Sequence, residues 1–208
     1  MSVFERALAA LLLLTSATVQ AEESALPKPR QVETAVFAGG CFWCVEEAFD
    51  EVEGVLATTS GYTGGDVENP SYEQVSAGGT GHYEAVRVRY DPEQVSYDTL
   101  LEAFWHNIDP TDPDGQFCDQ GSSYRSAVFW RTPAQREQAE ASKAALAQDP
   151  DAPSPVTTAI LRAGAFYEAE AYHQDYYRKN PLRYRFYKTA CGRLGRLEEL
   201  WGERAGKP

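Results

Sequence analysis

Several residue types are scarce in this chain of 208 residues. It contains one methionine, Met1, three histidines and four cysteines. Four cysteines are too few to hold a chain of this length together, so a disulfide scaffold is excluded. Basic residues are also in the minority, 19 against 31 acidic ones, and the net charge of −12 argues against general nucleic-acid binding. Aromatic residues, at 12%, are in contrast numerous enough to anchor the core of one globular domain, which excludes a disordered chain.

The N-terminal segment differs in composition from the rest. Residues 7–19 form an apolar run without a charge, and Ala21 ends a small-x-Ala sequence just before two glutamates. This pattern is typical of a secretory signal peptide over residues 1–21 that is cleaved after Ala21. The run is too short to cross a bilayer, which takes about 20 residues, and an uncleaved N-terminal anchor is the alternative. Glu5 beside Arg6 weakens the positive charge that such a signal normally carries.

Export of the mature chain follows from this interpretation. We expect a periplasmic location, where no glutathione pool keeps thiols reduced, so that a catalytic thiol needs its own electron supply. Residues 22–32 include two prolines and few apolar residues, which predicts a flexible linker. Residues 33–208 then form a single domain with a cysteine-bearing C-terminal tail. Removal of Met1 with the signal would leave the mature protein without methionine.

Short strands and helices alternate along the remainder, which predicts a compact layered fold of α and β elements. Residues 85–90 alternate between apolar and basic side chains, as in a half-buried strand. Residues 132–135 (TPAQ) are typical of a helix start, with a Thr cap and a proline at the first position. Residues 60–81 are rich in glycine and predict a long functional loop. Strands are also predicted over residues 34–38, 124–130 and 156–162, and helices over residues 42–53, 98–107 and 166–178.

The charge is unevenly distributed along the chain. Residues 177–208 are basic and carry several aromatic side chains, among them Tyr184 and Tyr187. A segment of this kind can bind nucleic acid, but its attraction to the acidic remainder of the chain is the simpler interpretation.

The strongest chemical signal lies at residues 40–44 (GCFWC). Cys41 stands where a strand gives way to a helix, and the unpaired N–H groups and the helix dipole favour a thiolate there. The spacing of Cys41 and Cys44 also matches a thioredoxin-like dithiol or half of a zinc site. A zinc site lacks a second pair of ligands at suitable spacing, since Cys118, Cys191 and the histidines are scattered. A buried structural pair is a further alternative.

The segment GCFWC at residues 40–44 resembles the active-site motif of the class A peptide methionine sulfoxide reductases. Other segments resemble that family in the same order and together span roughly residues 33–200. The resemblance implies an α/β fold of the α+β two-layer plait type, ferredoxin-like, with a mixed sheet, flanking helices and an irregular C-terminal segment. The matching segments are residues 61–65 (GYTGG), 69–72 (NPSY), 80–86 (TGHYEAV), 90–92 (YDP), 105–106 (WH), 124–126 (YRS) and 169–176 (AEAYHQDY).

The resemblance implies a role for each matched side chain. Cys41 attacks the sulfoxide sulfur and becomes a sulfenic acid as methionine leaves. Glu84, kept protonated by burial, supplies the proton for the departing oxygen. The implied substrate-binding residues are Phe42 and Trp43 around the S-methyl group, Tyr72 and Tyr124 at the sulfoxide oxygen, and Asp119 in support of these hydroxyls.

Recycling of Cys41 requires a second thiol. Many members of the family carry one or two such cysteines in a glycine-rich C-terminal tail, and here only Cys191 follows the last motif. We expect Cys191, whose basic neighbours favour its thiolate, to attack the sulfenic acid and form a Cys41–Cys191 disulfide. Cys118 is the rival resolving residue, and Cys44 is disfavoured because helix geometry directs it elsewhere.

The same resemblance implies a substrate and a partner. The substrate is the S epimer of methionine sulfoxide, free or in proteins, so that the enzyme repairs oxidative damage. A thioredoxin-like protein is implied as the reductant of the disulfide. No metal, nucleotide or flavin is implied, and we expect a monomer without stable membrane insertion after signal cleavage. The alternative function is a dithiol–disulfide oxidoreductase that uses Cys41 and Cys44 directly and has no need of Glu84, Tyr72 or Tyr124.

Overall fold

The computed structural model describes residues 31–207 of the chain. The predicted signal peptide, residues 1–21, and most of the predicted linker lie outside the described residues. None of the helices within residues 31–207 has the length and hydropathy that a bilayer span requires.

The described residues contain short strands and helices in alternation, as the sequence predicts. The strands are β1 (Glu33–Gly39), β2 (Val55–Thr63), β3 (Tyr83–Tyr90), β4 (Gly115–Gln116), β5 (Asp119–Gln120), β6 (Ser126–Trp130), β7 (Ala159–Arg162) and β8 (Phe166–Glu168). The α-helices are α1 (Phe42–Asp50), α2 (Tyr72–Ser76), α3 (Tyr97–Trp105), α4 (Pro133–Gln148), α5 (Tyr176–Lys179), α6 (Pro181–Ala190) and α7 (Arg193–Trp201).

Six of these strands form one mixed sheet in the order β7-β6-β1-β3-β2-β8. Its neighbouring strands are antiparallel except β6 and β7, which are parallel. The succession β1-α1-β2-β3-α3-β6, with spatial order β6-β1-β3-β2, is the ferredoxin-like plait that the resemblance implies. The helices α1 and α3 cover one face through stacked rings, since Phe37 of β1 lies 4.7 Å from Phe49 and 5.2 Å from Phe104 between ring centroids.

Local sequence signals explain several of these elements. The alternation in β3 buries Val86 and Val88 and exposes Arg89, as predicted for a half-buried strand. Helix α4 begins as expected, with the Thr132 hydroxyl accepting a hydrogen bond from the Gln135 N–H at 3.2 Å. These caps and patterns need no tertiary context, which is why the sequence reveals them.

Three predictions about secondary structure need correction. The loop predicted over residues 60–81 is interrupted by regular structure, because it contains the end of β2 and the short helix α2. The predicted helix over residues 166–178 instead begins as β8, whose backbone pairs with the edge of β2. The C-terminal segment, expected to be irregular, forms the helices α6 and α7.

Candidate active site

Cys41 lies at the junction of β1 and α1, where it is the N-cap residue of the helix. The turn into the helix requires glycine at position 40, because Gly40 has φ +80 and a Cβ there would lie 2.5 Å from the Cβ of Gln116. Gln116 belongs to β4, so this close contact brings the β4–β5 hairpin next to Cys41. Gly40 therefore allows the turn that places Cys41 at the start of α1, and it leaves space for the β4–β5 hairpin beside Cys41.

The predicted site residues come together in one cavity of about 250 Å³. Seven of the eight lie on its wall, although they come from five different parts of the chain, and the exception is Cys191. The wall also includes three residues that the sequence analysis did not assign to the site. The predicted residues on the wall are Cys41, Phe42, Trp43, Tyr72, Glu84, Asp119 and Tyr124, and the additional ones are Tyr176, Arg183 and Tyr187.

Glu84 is the acidic group of this cavity. It lies in β3, is 2% exposed, and its Oε2 accepts a hydrogen bond of 3.1 Å from the N–H of Phe42, one residue after Cys41. Burial raises the pKa of Glu84 to about 8, and the hydrogen bond from Phe42 opposes this shift only in part. The side chain is therefore mostly protonated at neutral pH and can donate a proton beside the thiol.

Tyr72 and Tyr124 supply the hydroxyl groups of the cavity. Tyr72 is the first residue of α2, and its backbone N–H donates a 2.9 Å hydrogen bond to Glu170. The other carboxylate oxygen of Glu170 accepts from the Tyr62 hydroxyl at 2.9 Å, so one carboxylate holds α2 against β2. Burial and the charge of Glu84 raise the pKa of Tyr72 to about 12 and also raise that of Tyr124. Both hydroxyls thus stay protonated and can donate hydrogen bonds.

An aromatic wall faces the thiol. The Trp43 ring stacks on Tyr176 with centroids 3.7 Å apart and planes within 7°. The indole N–H of Trp43 donates to Nδ1 of His173 at 3.0 Å, and His173 also lies against Phe42, 4.9 Å between ring centroids. The buried His173, from the 169–176 motif, thus supports this aromatic wall through its contacts with both Phe42 and Trp43. A wall of flat, polarisable rings suits a methyl group attached to sulfur.

The two cysteines of α1 form a buried pair, with Cys41 5% and Cys44 4% exposed. Burial and then the neighbouring Cys44 raise the pKa of Cys41 well above its ordinary value. A hydrogen bond from Cys41 and the positive charges of Arg193 and Lys188 lower the pKa of Cys44 to about 6. The helix N-terminus was expected to favour a Cys41 thiolate, but in the substrate-free site burial outweighs the helix dipole and the thiol form is favoured.

The other two cysteines are joined in a disulfide, Cys118–Cys191, with a Cα–Cα distance of 5.0 Å. The expected Cys41–Cys191 disulfide is thus not the bond that the structure contains, and Cys191 is paired with its predicted rival. The reason is positional. Cys191 caps the C-terminal end of α6, and the β4–β5 hairpin carries Cys118 to that end.

One hydrogen bond connects this disulfide to the cavity. The Tyr187 hydroxyl, one turn before Cys191 in α6, donates to Oδ2 of Asp119, the residue after Cys118. Tyr187 also interacts with Cys41. Burial raises the pKa of Asp119, and the Tyr187 hydroxyl and the Arg193 charge lower it in part. Asp119 therefore anchors Tyr187 between the nucleophile and the disulfide rather than only supporting Tyr72 and Tyr124.

Potential metal ligands also occur at this place. Among the described residues, Cys118, Asp119 and Cys191 could direct one ligand atom each at a common point. Both sulfur atoms are consumed by the disulfide, and a metal would need them as thiolates. The chemistry that this donor set supports is thiol–disulfide exchange.

Comparisons with known proteins agree with this site. The chain matches the family model described as Peptide methionine sulfoxide reductase over residues 33–205. The peptide methionine sulfoxide reductase MsrA of Bacillus subtilis is 53% identical over 82% of this chain and 96% of its own length. MsrA 2 of Caulobacter vibrioides is 50% identical over 95% of this chain and 99% of its own length.

Solved structures give the same answer. Methionine sulfoxide reductase A of Corynebacterium diphtheriae superposes with a TM-score of 0.65 at 37% identity, over 76% of this chain and 79% of that one. Reduced Mxr1 of Saccharomyces cerevisiae gives 0.69 at 28% identity, over 76% and 91%. The fold and the thiol-centred site define a thiol-dependent oxidoreductase. The chain belongs to the peptide methionine sulfoxide reductase family.

Proposed function

We propose that this chain reduces the S epimer of methionine sulfoxide, free or within proteins, and so repairs oxidised methionine. The observation that carries this proposal is the cavity in which the Cys41 thiol lies beside the buried carboxyl of Glu84. Sulfoxide reduction needs a sulfur nucleophile and a proton for the oxygen, and the cavity holds both. The relatives' names state the same activity.

The first step uses the groups of the cavity. The sulfoxide oxygen accepts hydrogen bonds from the hydroxyls of Tyr72 and Tyr124, and the S-methyl group lies against Phe42 and Trp43. The oxygen takes the proton of Glu84 as the Cys41 sulfur attacks the sulfoxide sulfur, and the proton of the Cys41 thiol passes to the Glu84 carboxylate. The hydroxyl then passes from the substrate sulfur to the Cys41 sulfur as the bond between the two sulfurs breaks, which releases methionine and leaves a sulfenic acid on Cys41.

Recycling reduces Cys41 again and leaves Cys118 and Cys191 oxidised. Cys191 attacks the sulfenic sulfur, which releases water and forms the Cys41–Cys191 disulfide. Cys118 then attacks Cys191, frees the Cys41 thiol and forms the Cys118–Cys191 disulfide. A thioredoxin-like protein reduces this last disulfide. The relative Mxr1 has been solved in complex with Trx2, a pairing of the kind that this step needs.

The proposed setting of the enzyme follows from residues outside the described part of the chain. The apolar run over residues 7–19 supports export, with cleavage after Ala21 and a periplasmic location. The mature enzyme is proposed to act as a monomer without membrane insertion. N-terminal sequencing of protein recovered from the periplasmic fraction tests this: a chain beginning at Glu22 supports export, and one that retains Met1 contradicts it.

Single-turnover kinetics test the proposed reaction. Fully reduced enzyme is mixed with one equivalent of methionine S-sulfoxide or R-sulfoxide, and the methionine formed is measured. We expect one methionine per enzyme from the S epimer alone. Glu84→Gln must slow this step, and full single-turnover activity in that variant would contradict the role given to Glu84.

A further inference from the structure

Four of the six large apolar side chains that are exposed within residues 31–207 lie in the C-terminal third of that range. Leu182 and Phe186 are 81% and 77% exposed, more than any other large hydrophobic residue of residues 31–207. They are four residues apart in α6 and so share one face of the helix. Exposed apolar pairs of this kind, including an aromatic ring, are typical of protein interaction sites.

This face lies close to the disulfide that must be reduced. Cys191 caps the end of α6, about 7.5 Å along the helix axis from Phe186. A helix with its side chains is about 10–12 Å across. A protein interface of ordinary size covers about 800 Å² on each partner, so one partner can contact both the disulfide and the outward face of α6.

Charged groups surround the apolar pair. Arg183 and Arg185 flank Leu182 and Phe186, are exposed, and take part in no ion pair within the described residues. They form a basic border in a chain whose net charge is −12. A complementary partner has an apolar centre with an acidic rim.

The two sulfur atoms of the disulfide are not equivalent. Cys118 is exposed in the two-residue connection between β4 and β5. Cys191 is only half-buried, and its Sγ accepts a hydrogen bond of 3.2 Å from the Cys118 N–H. An incoming thiolate therefore reaches Cys118 more easily, and the hydrogen bond stabilises Cys191 as the leaving thiolate.

From these observations we infer that the outward face of α6, made by Leu182 and Phe186 with its arginine border, is the docking surface for a thioredoxin-like reductant that attacks Cys118. This inference rests on the proposed function. The reductant's thiolate bonds to Cys118 as the Cys118–Cys191 bond breaks and Cys191 leaves as a thiolate. The reductant's second thiolate then displaces Cys118, so that the reductant ends as a disulfide and two electrons reach this chain.

The test compares two reductants on the mature protein. Sulfoxide reduction is measured with dithiothreitol, which needs no docking surface, and with a thioredoxin coupled to its reductase and NADPH. Leu182→Glu with Phe186→Glu must raise the KM for thioredoxin about tenfold, and must leave the dithiothreitol-driven rate within about twofold of the unchanged protein. Leu56→Glu, an exposed leucine of β2, is the control and must alter neither rate.

Two further arms sharpen the test. Arg185→Glu must raise the KM for thioredoxin by about threefold and weaken its dependence on salt. A thioredoxin variant with its second cysteine replaced by serine must be trapped in a mixed disulfide that maps to Cys118.

Several outcomes would overturn the inference. One is an unchanged KM for thioredoxin in the double variant, and another is an equal loss of activity with thioredoxin and with dithiothreitol. A mixed disulfide that maps to Cys191 would also contradict it. So would sedimentation that shows a dimer of the wild-type protein and a monomer of the double variant. The dithiothreitol-driven rate of the wild-type protein separately reports on the proposed function, because it depends on the cavity and not on docking.

Discussion

The Cys41–Cys44 pair and the Cys118–Cys191 pair are connected through the Asp119–Tyr187 hydrogen bond, yet they differ in burial, backbone setting and oxidation state. The inner pair, Cys41 and Cys44, is buried at the start of α1 and is reduced. The outer pair, Cys118–Cys191, joins an exposed residue of the β4–β5 hairpin to the end of the surface helix α6 and is oxidised. The difference separates two tasks: chemistry on a small substrate takes place away from water, and exchange with a protein reductant takes place at the surface.

The inner pair also shows how burial divides one proton between two thiols. Cys44 faces Arg193 and Lys188 on the far side of α1, and these cations favour its thiolate. Cys41 faces the carboxyls of Glu84 and Asp119, which together with burial favour its thiol. Cys41 therefore remains a protonated thiol in the substrate-free site, and this protonation limits its unproductive oxidation.

Replacing one cysteine of each pair should have the largest effect on activity and should show the difference between the two pairs most clearly. Cys41→Ser should lower sulfoxide reduction about 10³-fold or more, because the nucleophile is lost. Cys118→Ser or Cys191→Ser should still form one methionine per enzyme and then stop turning over with thioredoxin. Counting methionine per enzyme at early and late times distinguishes the two cases. Sustained turnover by Cys191→Ser with thioredoxin would contradict the role of the outer pair.

Glu84→Gln should have the next largest effect and touch only the inner site. We expect the single-turnover rate to fall about 10²-fold at pH 7, because the proton donor is lost. Glu84, with a pKa raised to about 8, donates its proton below that pH and loses it as pH rises. The ratio of wild-type to variant rates should therefore decline as pH rises through about 8. A ratio that stays constant from pH 6 to 10 would contradict the assignment.

Tyr187→Phe tests the connection between the pairs. The change removes the hydroxyl that donates to Asp119 and keeps the ring on α6. We expect recycling to slow about fivefold, in keeping with the loss of one hydrogen bond, while the first methionine forms at nearly the normal rate. Stopped-flow measurement of methionine and of free thiols separates the two steps. A fall in the methionine step alone would place Tyr187 in the chemistry instead.

Cys44→Ser should have the smallest effect on turnover, within about threefold, because Cys44 takes no part in the proposed exchange. It should lower the pKa of Cys41, since the neighbouring thiolate that raises that pKa is gone. The pH dependence of Cys41 alkylation by iodoacetamide measures this shift. Complete loss of activity in Cys44→Ser would favour the alternative dithiol–disulfide oxidoreductase.

Much of the inner site was accessible from the sequence, and the outer pair was not. Residues 40–44 and the ordered motifs carry the resemblance, so Cys41, Glu84 and the tyrosines could be named from them. Tyr187 could not, because its role depends on where α6 crosses the hairpin. The Cys118–Cys191 bond depends in the same way on a contact between segments 73 residues apart.

The fold was predictable to a similar degree. Strand β3 and the start of α4 have local signals, in alternation and in capping. The strand β8 does not, because the aromatic spacing of its sequence suits a helix and only pairing with β2 makes it extended. Local propensity yields here to tertiary hydrogen bonding.

Disulfide mapping after a single oxidation tests the central claim most directly. Reduced enzyme receives one equivalent of methionine S-sulfoxide, is alkylated and is digested for mass spectrometry. The account predicts a Cys118–Cys191 bond with Cys41 and Cys44 alkylated in the wild-type protein, and a Cys41–Cys191 bond in Cys118→Ser. A lasting Cys41–Cys44 bond in either protein would contradict it.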